Sequence, residues 1–359
     1  MSRLTNKQVL GRVTEFDHVC REESFQLYIS ILKGVLRTNR VPRADELRSL
    51  VDSEDWDSLY AACDELGELL HPSVADHFAA LQFVALVKKY PWQRGLLRFD
   101  PEKAAIRSFQ KSEWKCRRVN RKFVLLRTLR DPRNSELSRA REWIRYVLGD
   151  SVPSYYHRCD FGSGASIGVH GQTTHLGRKL QSEMSVTPRA VGRAAEALWN
   201  HAQYREKFLD RAPDGRPFVS VDPLAFWAKL REDCKLVTYN QISFVPKTAK
   251  THRGIAVEPT LNGFLQKGVD QVMRDRLKRV GIDLSDQSQN QRMAWKGSLG
   301  GPDPYCTIDL SSASDSISIE LVRYLLPPDW FDELNCIRAH EYRDVEGNVR
   351  RYEKFCSMG

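Results

Sequence analysis

Thr307-Ile308-Asp309-Leu310-Ser311-Ser312-Ala313-Ser314-Asp315-Ser316 carries one carboxylate out of a short apolar run into a turn of small residues, and a second to a helix start. Metal-dependent phosphoryl chemistry uses such an arrangement. In nucleotidyl transfer the charge sits on oxygens of the triphosphate, and two magnesium ions roughly 3.5–4 Å apart are the common means of neutralising it. Magnesium keeps much of its water and takes only one or two protein carboxylates. Asp309, at a strand end, is therefore the candidate catalytic residue and metal ligand. The small side chains from Ser311 to Ser314 leave room for a nucleotide, and Asp315 is placed to reach a ribose hydroxyl. The same residues fit a structural reading, in which Asp315, with Ser311 or Ser314, caps a helix from Ser316 to Leu325.

The opposite charge comes from a separate segment. Gln241-Ile242-Ser243-Phe244-Val245-Pro246 reads as a strand and Ile255-Ala256-Val257-Glu258-Pro259 as its return, with Lys247-Thr248-Ala249-Lys250-Thr251-His252-Arg253-Gly254 as the basic turn between them. Lys247, Lys250 and Arg253 have the chemistry to bind a triphosphate and support the leaving pyrophosphate, arginine through a fork of donors and lysine as a point charge. A hairpin tip that only aids solubility has the same composition. Upstream, Lys103, Arg107, Lys111 and Lys115 recur every fourth residue and share one helical face. That face suits either an RNA backbone or plain solvation, and Phe109 and Trp114 among the charges suit either base stacking or a core. Phe161-Gly162-Ser163-Gly164-Ala165-Ser166 lacks the strand-then-helix frame and the following Gly-Lys-Ser/Thr of a nucleotide cradle, so it reads as a structural turn.

These segments need elements to carry them. Residues from about Asn6 to Leu148 read as mostly helical, with breaks near Pro42, Pro72, Pro91 and Pro132, and from Asp150 the texture turns to Gly, Ser and Thr. After the basic hairpin the spacing predicts a helix over Leu261 to Val280, with Leu265, Val269, Val272, Met273, Leu277 and Val280 on one face and Gly281 at its C-terminal end. With 359 residues, 41% of them hydrophobic and 10% aromatic, the chain can bury cores in two or three subdomains.

A net charge of +9 favours an anionic partner, nucleic acid first and a membrane surface second. The early acidic cluster of Asp45, Glu46, Asp52, Glu54, Asp55, Asp57, Asp64, Glu65 and Glu68 reads as a solvated helical face. The eight cysteines are dispersed without a CxxC pair, which argues against structural zinc. With an N-terminus lacking the apolar core of a signal peptide, they read as free thiols in a reducing cytosol. The longest apolar stretch, His77 to Val87, is too short to span a bilayer and reads as a core helix.

With both constellations placed, the chain resembles the replicase subunit of the single-stranded RNA bacteriophages, the leviviruses, an RNA-directed RNA polymerase. Phe244-Val245-Pro246-Lys247 with Lys250-Thr251 and Arg253, then Ile255 to Asn262, look like the family's nucleotide-binding finger motif. Asp275-Arg276-Leu277, Gly281-Ile282-Asp283-Leu284 and Asn290-Gln291-Arg292 continue the resemblance. Asp309 to Ser316 is similar to the first palm motif, and Ser357-Met358-Gly359 looks like the opening of the second. The resemblance is dense from about Ser243 onward and thinner before it, where Phe161 to Ser166 and Ser185-Val186-Thr187-Pro188 look like family features.

The resemblance implies an α+β right-hand polymerase. Residues 1–149 would be a helical N-terminal region, 150–300 the fingers with the basic motif at 243–259, and 301–359 the start of the palm. Asp309 would bind magnesium, Asp315 would sense the ribose 2′-hydroxyl, Lys250 and Arg253 with Lys247 would hold the incoming triphosphate, and Ser357 and Gly359 would border the nucleotide pocket. Expected partners are template and product RNA, nucleoside triphosphates, and the host elongation factors Tu and Ts with a ribosomal protein, in the cytoplasm of the infected bacterium and without a membrane.

Such polymerases carry a Gly-Asp-Asp hairpin after the second palm motif, whereas this sequence has no Asp-Asp pair and stops at Gly359. It thus resembles a C-terminally truncated replicase, expected not to polymerise RNA as an isolated chain. Its hairpin from Tyr342 to Tyr352 is expected to be poorly anchored, and residues near the C-terminus the least stable. The alternative is a non-catalytic basic RNA-binding protein in which Asp309 and Asp315 only cap. A magnesium-dependent nuclease is a third reading, for which the additional acidic ligands are not evident.

Overall fold

The computed structural model describes residues 6–38, 40–69, 71, 73–92, 95–129, 135–169, 176–205, 223–302, 305–306, 308, 310 and 312–357. They form an α+β protein that divides into two compact units, Met1–Ala105 with Val245–Arg253, and Ile106–Phe244 with Gly254–Gly359. These packing units are drawn differently from the functional regions expected from sequence, because the tip of the basic hairpin belongs with the N-terminal helices. Among the described residues no helix is long and apolar enough to cross a membrane.

The first unit is built on α1 (Asn6–Arg37), α2 (Ala44–Asp52), α3 (Trp56–Glu68) and α4 (Val74–Lys89). Asp55 caps α3 by accepting from the Ser58 N–H at 3.1 Å, and Ser73 caps α4 by accepting from Asp76 N–H at 3.0 Å, each satisfying a donor that a helix start leaves without an internal partner. The apolar stretch ending at Val87 is a core helix as expected, burying Ala80, Phe83, Val84 and Val87 along one stripe of α4. They pack with Leu32, Leu36, Leu47, Leu59, Tyr60 and Leu66. Several early acidic residues are paired on the surface: Arg43 bonds Glu46 and Glu65, and Arg48 bonds Asp45.

The second unit takes most of α5 (Pro101–Leu129), then α6 (Ser135–Leu148), α7 (Leu176–Gln181), β1 (Ser185–Val186), α8 (Val191–Asn200), α9 (Ala202–Arg205), α10 (Pro223–Asp233) and β2 (Lys235–Leu236). There follow β3 (Tyr239–Pro246), β4 (His252–Val257), α11 (Thr260–Arg279), α12 (Ser288–Ser298), α13 (Ile319–Leu325), α14 (Pro328–Ile337), β5 (Glu341–Arg343) and β6 (Val349–Arg351). β1 and β2 pair in parallel. The larger sheet has the order β4-β3-β5-β6, with β3 and β5 parallel and β5 and β6 antiparallel.

α11 is the axis of this unit's core. Leu261, Phe264, Leu265, Val269 and Val272 are buried on it, with Met273, Leu277 and Val280 partly buried against the same cluster. Its end is fixed as the sequence predicts: Gly281 adopts φ +84°, its N–H bonds Lys278 O, and Ile282 N–H reaches back to Leu277 O. That is the paired hydrogen-bond pattern in which glycine closes a helix.

Two expectations are corrected. The hairpin of β5 and β6 is not poorly anchored: β5 joins β3, and Tyr342 and Tyr352 are buried with Ile242 and Ala256. Nor does Asp315 cap a helix from Ser316. Ser314–Ser316 is a 3-10 turn, and α13 starts three residues later, where Ser318 accepts from the Leu321 N–H at 3.4 Å.

Candidate functional site

Released from the capping role, Asp315 binds elsewhere. Its Oδ1 accepts from Nζ of Lys354 at 2.8 Å, and that lysine is fully buried. The ammonium lies 3.7 Å from the ring centre of Phe109 and 3.7 Å from Oε1 of Glu113. A buried lysine is tolerated only when its charge is matched. Here Asp315 takes the hydrogen bond, while Glu113, whose buried Oε1 has no hydrogen-bond partner, and the face of Phe109 balance the charge without one. Burial pushes the Glu113 carboxyl above its usual range, against the opposing effects of the Glu353 N–H and the Lys354 charge.

The segments around Asp315 and Lys354 are joined through their backbones as well. Phe355 N–H donates to Ile317 O at 2.8 Å and Ile319 N–H to Glu353 O at 3.3 Å. The inner face of α5 holds both. Cys116 Sγ lies 3.5 Å from Asp315 O, Glu113 accepts from Glu353 N–H at 2.7 Å, and Asn120 donates to Glu353 O at 2.9 Å while accepting from Glu320 N–H at 2.9 Å. Phe109, Glu113, Cys116, Asn120 and Phe123 recur at helical spacing, so one stripe of α5 supplies every one of these contacts. Sequence reasoning fixed on the other stripe. The seven-residue spacing of Phe109, Cys116 and Phe123 is the trace of this one in the sequence, but Glu113 and Asn120 between them read as surface.

Ser357 lies just beyond. Its hydroxyl oxygen is buried, and the residue lines a cavity of about 130 Å³ together with Asn240, Glu258, Arg338 and Tyr352. That is well below the roughly 300 Å³ of an ordinary small-ligand pocket. Tyr352 donates to Asn240 at 2.7 Å and Asn240 to Glu258 at 2.6 Å. Burial pushes the Glu258 carboxyl up.

Asp309 and Gly359 lie outside the described residues. Among the described residues no group of three or more His, Cys, Asp or Glu side chains could hold a metal. The magnesium expectation rests on Asp309.

Lys247, Lys250 and Arg253 belong to the first unit, and Asp315 and Ser357 to the second. Lys250 is engaged: its ammonium pairs with Asp64 and lies 5.1 and 5.4 Å from the ring centres of Tyr60 and Phe99. Lys247 and Arg253 are exposed. On α5, Lys103, Arg107, Lys111 and Lys115 are all exposed, with Lys103 paired to Asp100 at 3.2 Å. Of the two aromatic residues among them, Phe109 is the core residue under Lys354, while Trp114 is 57% exposed with the Arg118 guanidinium 4.8 Å from its ring centre. The glycine-rich turn is structural, since carbonyl oxygens of Gly162 and Gly164 accept from the buried Lys179. A phosphate cradle would turn N–H groups to its ligand.

A family model described as RNA replicase, beta-chain, matches residues 58–359. The chain is 39% identical over 272 residues to the RNA-directed RNA polymerase subunit beta of Enterobacteria phage SP, covering 73% of this chain and 42% of that protein. It is 39% identical over 220 residues to the RNA-directed RNA polymerase beta chain of Escherichia phage MS2, covering 60% and 37% respectively. To the RNA-directed RNA polymerase subunit beta of Escherichia virus Qbeta it is 36% identical over 222 residues, 61% of this chain and 33% of that one. The matches thus span about two fifths or less of the length of these curated relatives.

Proposed function

The chain belongs to the RNA replicase beta-chain family, and on that premise we propose that it forms the fingers and the start of the palm of a right-hand RNA-directed RNA polymerase. Residues 150–300 are the fingers, 301–359 the start of the palm, and 1–149 a helical N-terminal region. The observation that carries this reading is the Lys354–Asp315 pair. It ties the carboxylate that follows Asp309 by six residues to the segment that leads to Ser357.

In the proposed reaction a 3′-hydroxyl oxygen of the growing strand attacks the α-phosphorus of a nucleoside triphosphate. A phosphorus–oxygen bond forms, the bond to the β-phosphate breaks, the hydroxyl proton leaves and pyrophosphate departs. Magnesium, for which Asp309 is the candidate ligand, would supply charge neutralisation at the phosphate oxygens. Asp315 orients the sugar: with Oδ1 on Lys354, Oδ2 is left to accept from the ribose 2′-hydroxyl. Arg253 and Lys247, the exposed cations of the hairpin tip, attract the triphosphate. RNA templates, nucleoside triphosphates, host elongation factors Tu and Ts and a ribosomal protein are the partners this reading carries, in the cytoplasm of an infected bacterium.

The test is template-directed nucleotide incorporation by a chain continued to the full length of its relatives. Asp309→Ala should abolish synthesis and leave RNA binding within about twofold. Synthesis that survives the substitution would remove Asp309 from the reaction and the proposal with it.

A further inference from the structure

The second unit carries a groove of about 800 Å³ lined by Arg117 and Arg121 of α5, Arg323 of α13, Arg351 of β6, and Arg189 and Arg338 between elements. Six guanidinium groups face two carboxylates there, those of Glu320 and Glu353. The carboxylates are already used, Glu320 by Arg323 at 3.2 Å and Glu353 by Arg117 at 3.8 Å. Arg338 is buried and donates to Asn335, Ala339 and Phe355. Arg121, Arg189 and Arg351 are exposed, and none of the three has a carboxylate partner among the described residues.

Such a cluster repels itself. Burial, together with the charges of Arg338, Arg189 and Arg351, holds His340 below its ordinary range. Burial lowers the Arg338 guanidinium to about 10, with the Arg351 charge acting in the same direction. An anion entering the groove would relieve this repulsion. The walls also indicate the shape of that anion. Val124 and Leu125, 47% and 60% exposed, stand in the same groove beside the arginines, so a charged track runs along an apolar side. A ribose-phosphate strand has that combination: phosphates suit the planar fork of arginine, and base faces suit apolar side chains.

We propose that this groove binds single-stranded RNA through its phosphates, with Arg121, Arg189 and Arg351 as the contacts. The choice of RNA rests on the polymerase reading, but the site itself is measurable without synthesis. The exposed residues Lys103, Arg107, Lys111 and Lys115, earlier on α5, are on this view solvated surface.

The experiment is fluorescence anisotropy of a labelled 20-nucleotide single-stranded RNA with the 359-residue chain, across a potassium chloride series and without nucleotides. The combined variant Arg121→Gln, Arg189→Gln, Arg351→Gln should bind at least tenfold more weakly. Its log–log salt slope should be shallower by about 2, at about 0.7 per lost phosphate contact. The combined variant Lys103→Gln, Arg107→Gln, Lys111→Gln should stay within twofold of the parent. Urea midpoints equal to the parent's establish that both variants are folded, as expected for exposed side chains. Parental RNA affinity in the folded groove variant would overturn the proposal. So would displacement of the RNA from the parent by millimolar ATP or tripolyphosphate, which would assign the groove to free triphosphate. Loss of RNA binding here with synthesis intact in the longer chain, or the reverse, separates failure of this site from failure of the polymerase reading.

Discussion

Lys354 and Asp315 form an ion pair of 2.8 Å in which the lysine is fully buried and the aspartate side chain 34% exposed. The asymmetry matters. The buried partner cannot choose another position, so it fixes the exposed one, whose second oxygen has no hydrogen-bond partner among the described residues. Glu113 and the face of Phe109 complete the lysine's surroundings from α5.

Removing that ammonium should cost more than a surface pair would. Lys354→Met keeps the length of the side chain but leaves Glu113 buried beside no cation, for which about 3 kcal/mol is the expected loss in urea unfolding. Adding Glu113→Gln should restore part of it, because an amide is cheaper to bury than an unpaired carboxylate. Equal stability of the single variant and the parent would mean that the pair contributes nothing.

Little of this was legible beforehand. Lys354 sits in Tyr352-Glu353-Lys354-Phe355, where a lysine reads as surface, and its burial depends on groups more than 200 residues earlier in the chain. The segment Ser311 to Ser318 offers several residues with cap chemistry, and spacing alone does not choose among them. Tertiary contact does, since Asp315 is drawn to Lys354 and Ser318 is left at the start of α13. By contrast α11, its apolar face and its glycine stop were readable, as was the basic hairpin, because local periodicity and turn chemistry suffice for such elements. The basic stripe of α5 was legible and the stripe that holds the site was not, since charge is conspicuous in a sequence and burial of Glu113 and Asn120 is not.

The packing of α11 gives a paired prediction. A Cβ at Gly268 would stand 2.6 Å from Cys159 Sγ and 3.0 Å from Tyr155 O, whereas one at Gly263 would meet nothing within 4 Å. Gly268→Ala should therefore destabilise by about 1–3 kcal/mol through overpacking. Gly263→Ala should stabilise by up to about 1 kcal/mol through helix propensity. Thermal melts of the two variants that shift in the same direction would contradict the packing described for this helix.

Cys63 links stability to alkaline pH. Burial pushes its thiol from 9.0 to about 12. Above pH 9 the unfolded chain gives up this proton before the folded one, so the folded state binds more protons and stability falls as pH rises through that window. The slope from one such thiol approaches about 1.4 kcal/mol per pH unit. Cys63→Ala should cost about 1 kcal/mol at pH 8, and the gap to the parent should close by pH 10. A gap that is constant from pH 8 to 10 would count against the shift.

Lys250 tests how far the basic hairpin tip is structural. Although burial opposes it, hydrogen bonds from Lys250 and Lys88 hold the Asp64 carboxyl below its usual range. A carboxyl depressed in this way contributes stability above its unfolded value of 3.8, and that contribution is lost as pH falls through the lower folded value. Lys250→Met should therefore lower the urea midpoint at pH 7, with the deficit shrinking as the pH falls below 3.8. Lys247→Ala and Arg253→Ala, at exposed positions, should stay within about 0.5 kcal/mol of the parent at both pH values. If instead all three substitutions leave folding unchanged and all three weaken binding of a nucleoside triphosphate, Lys250 acts with its neighbours on the ligand. Its contact with Asp64 would then be a resting position that the triphosphate displaces.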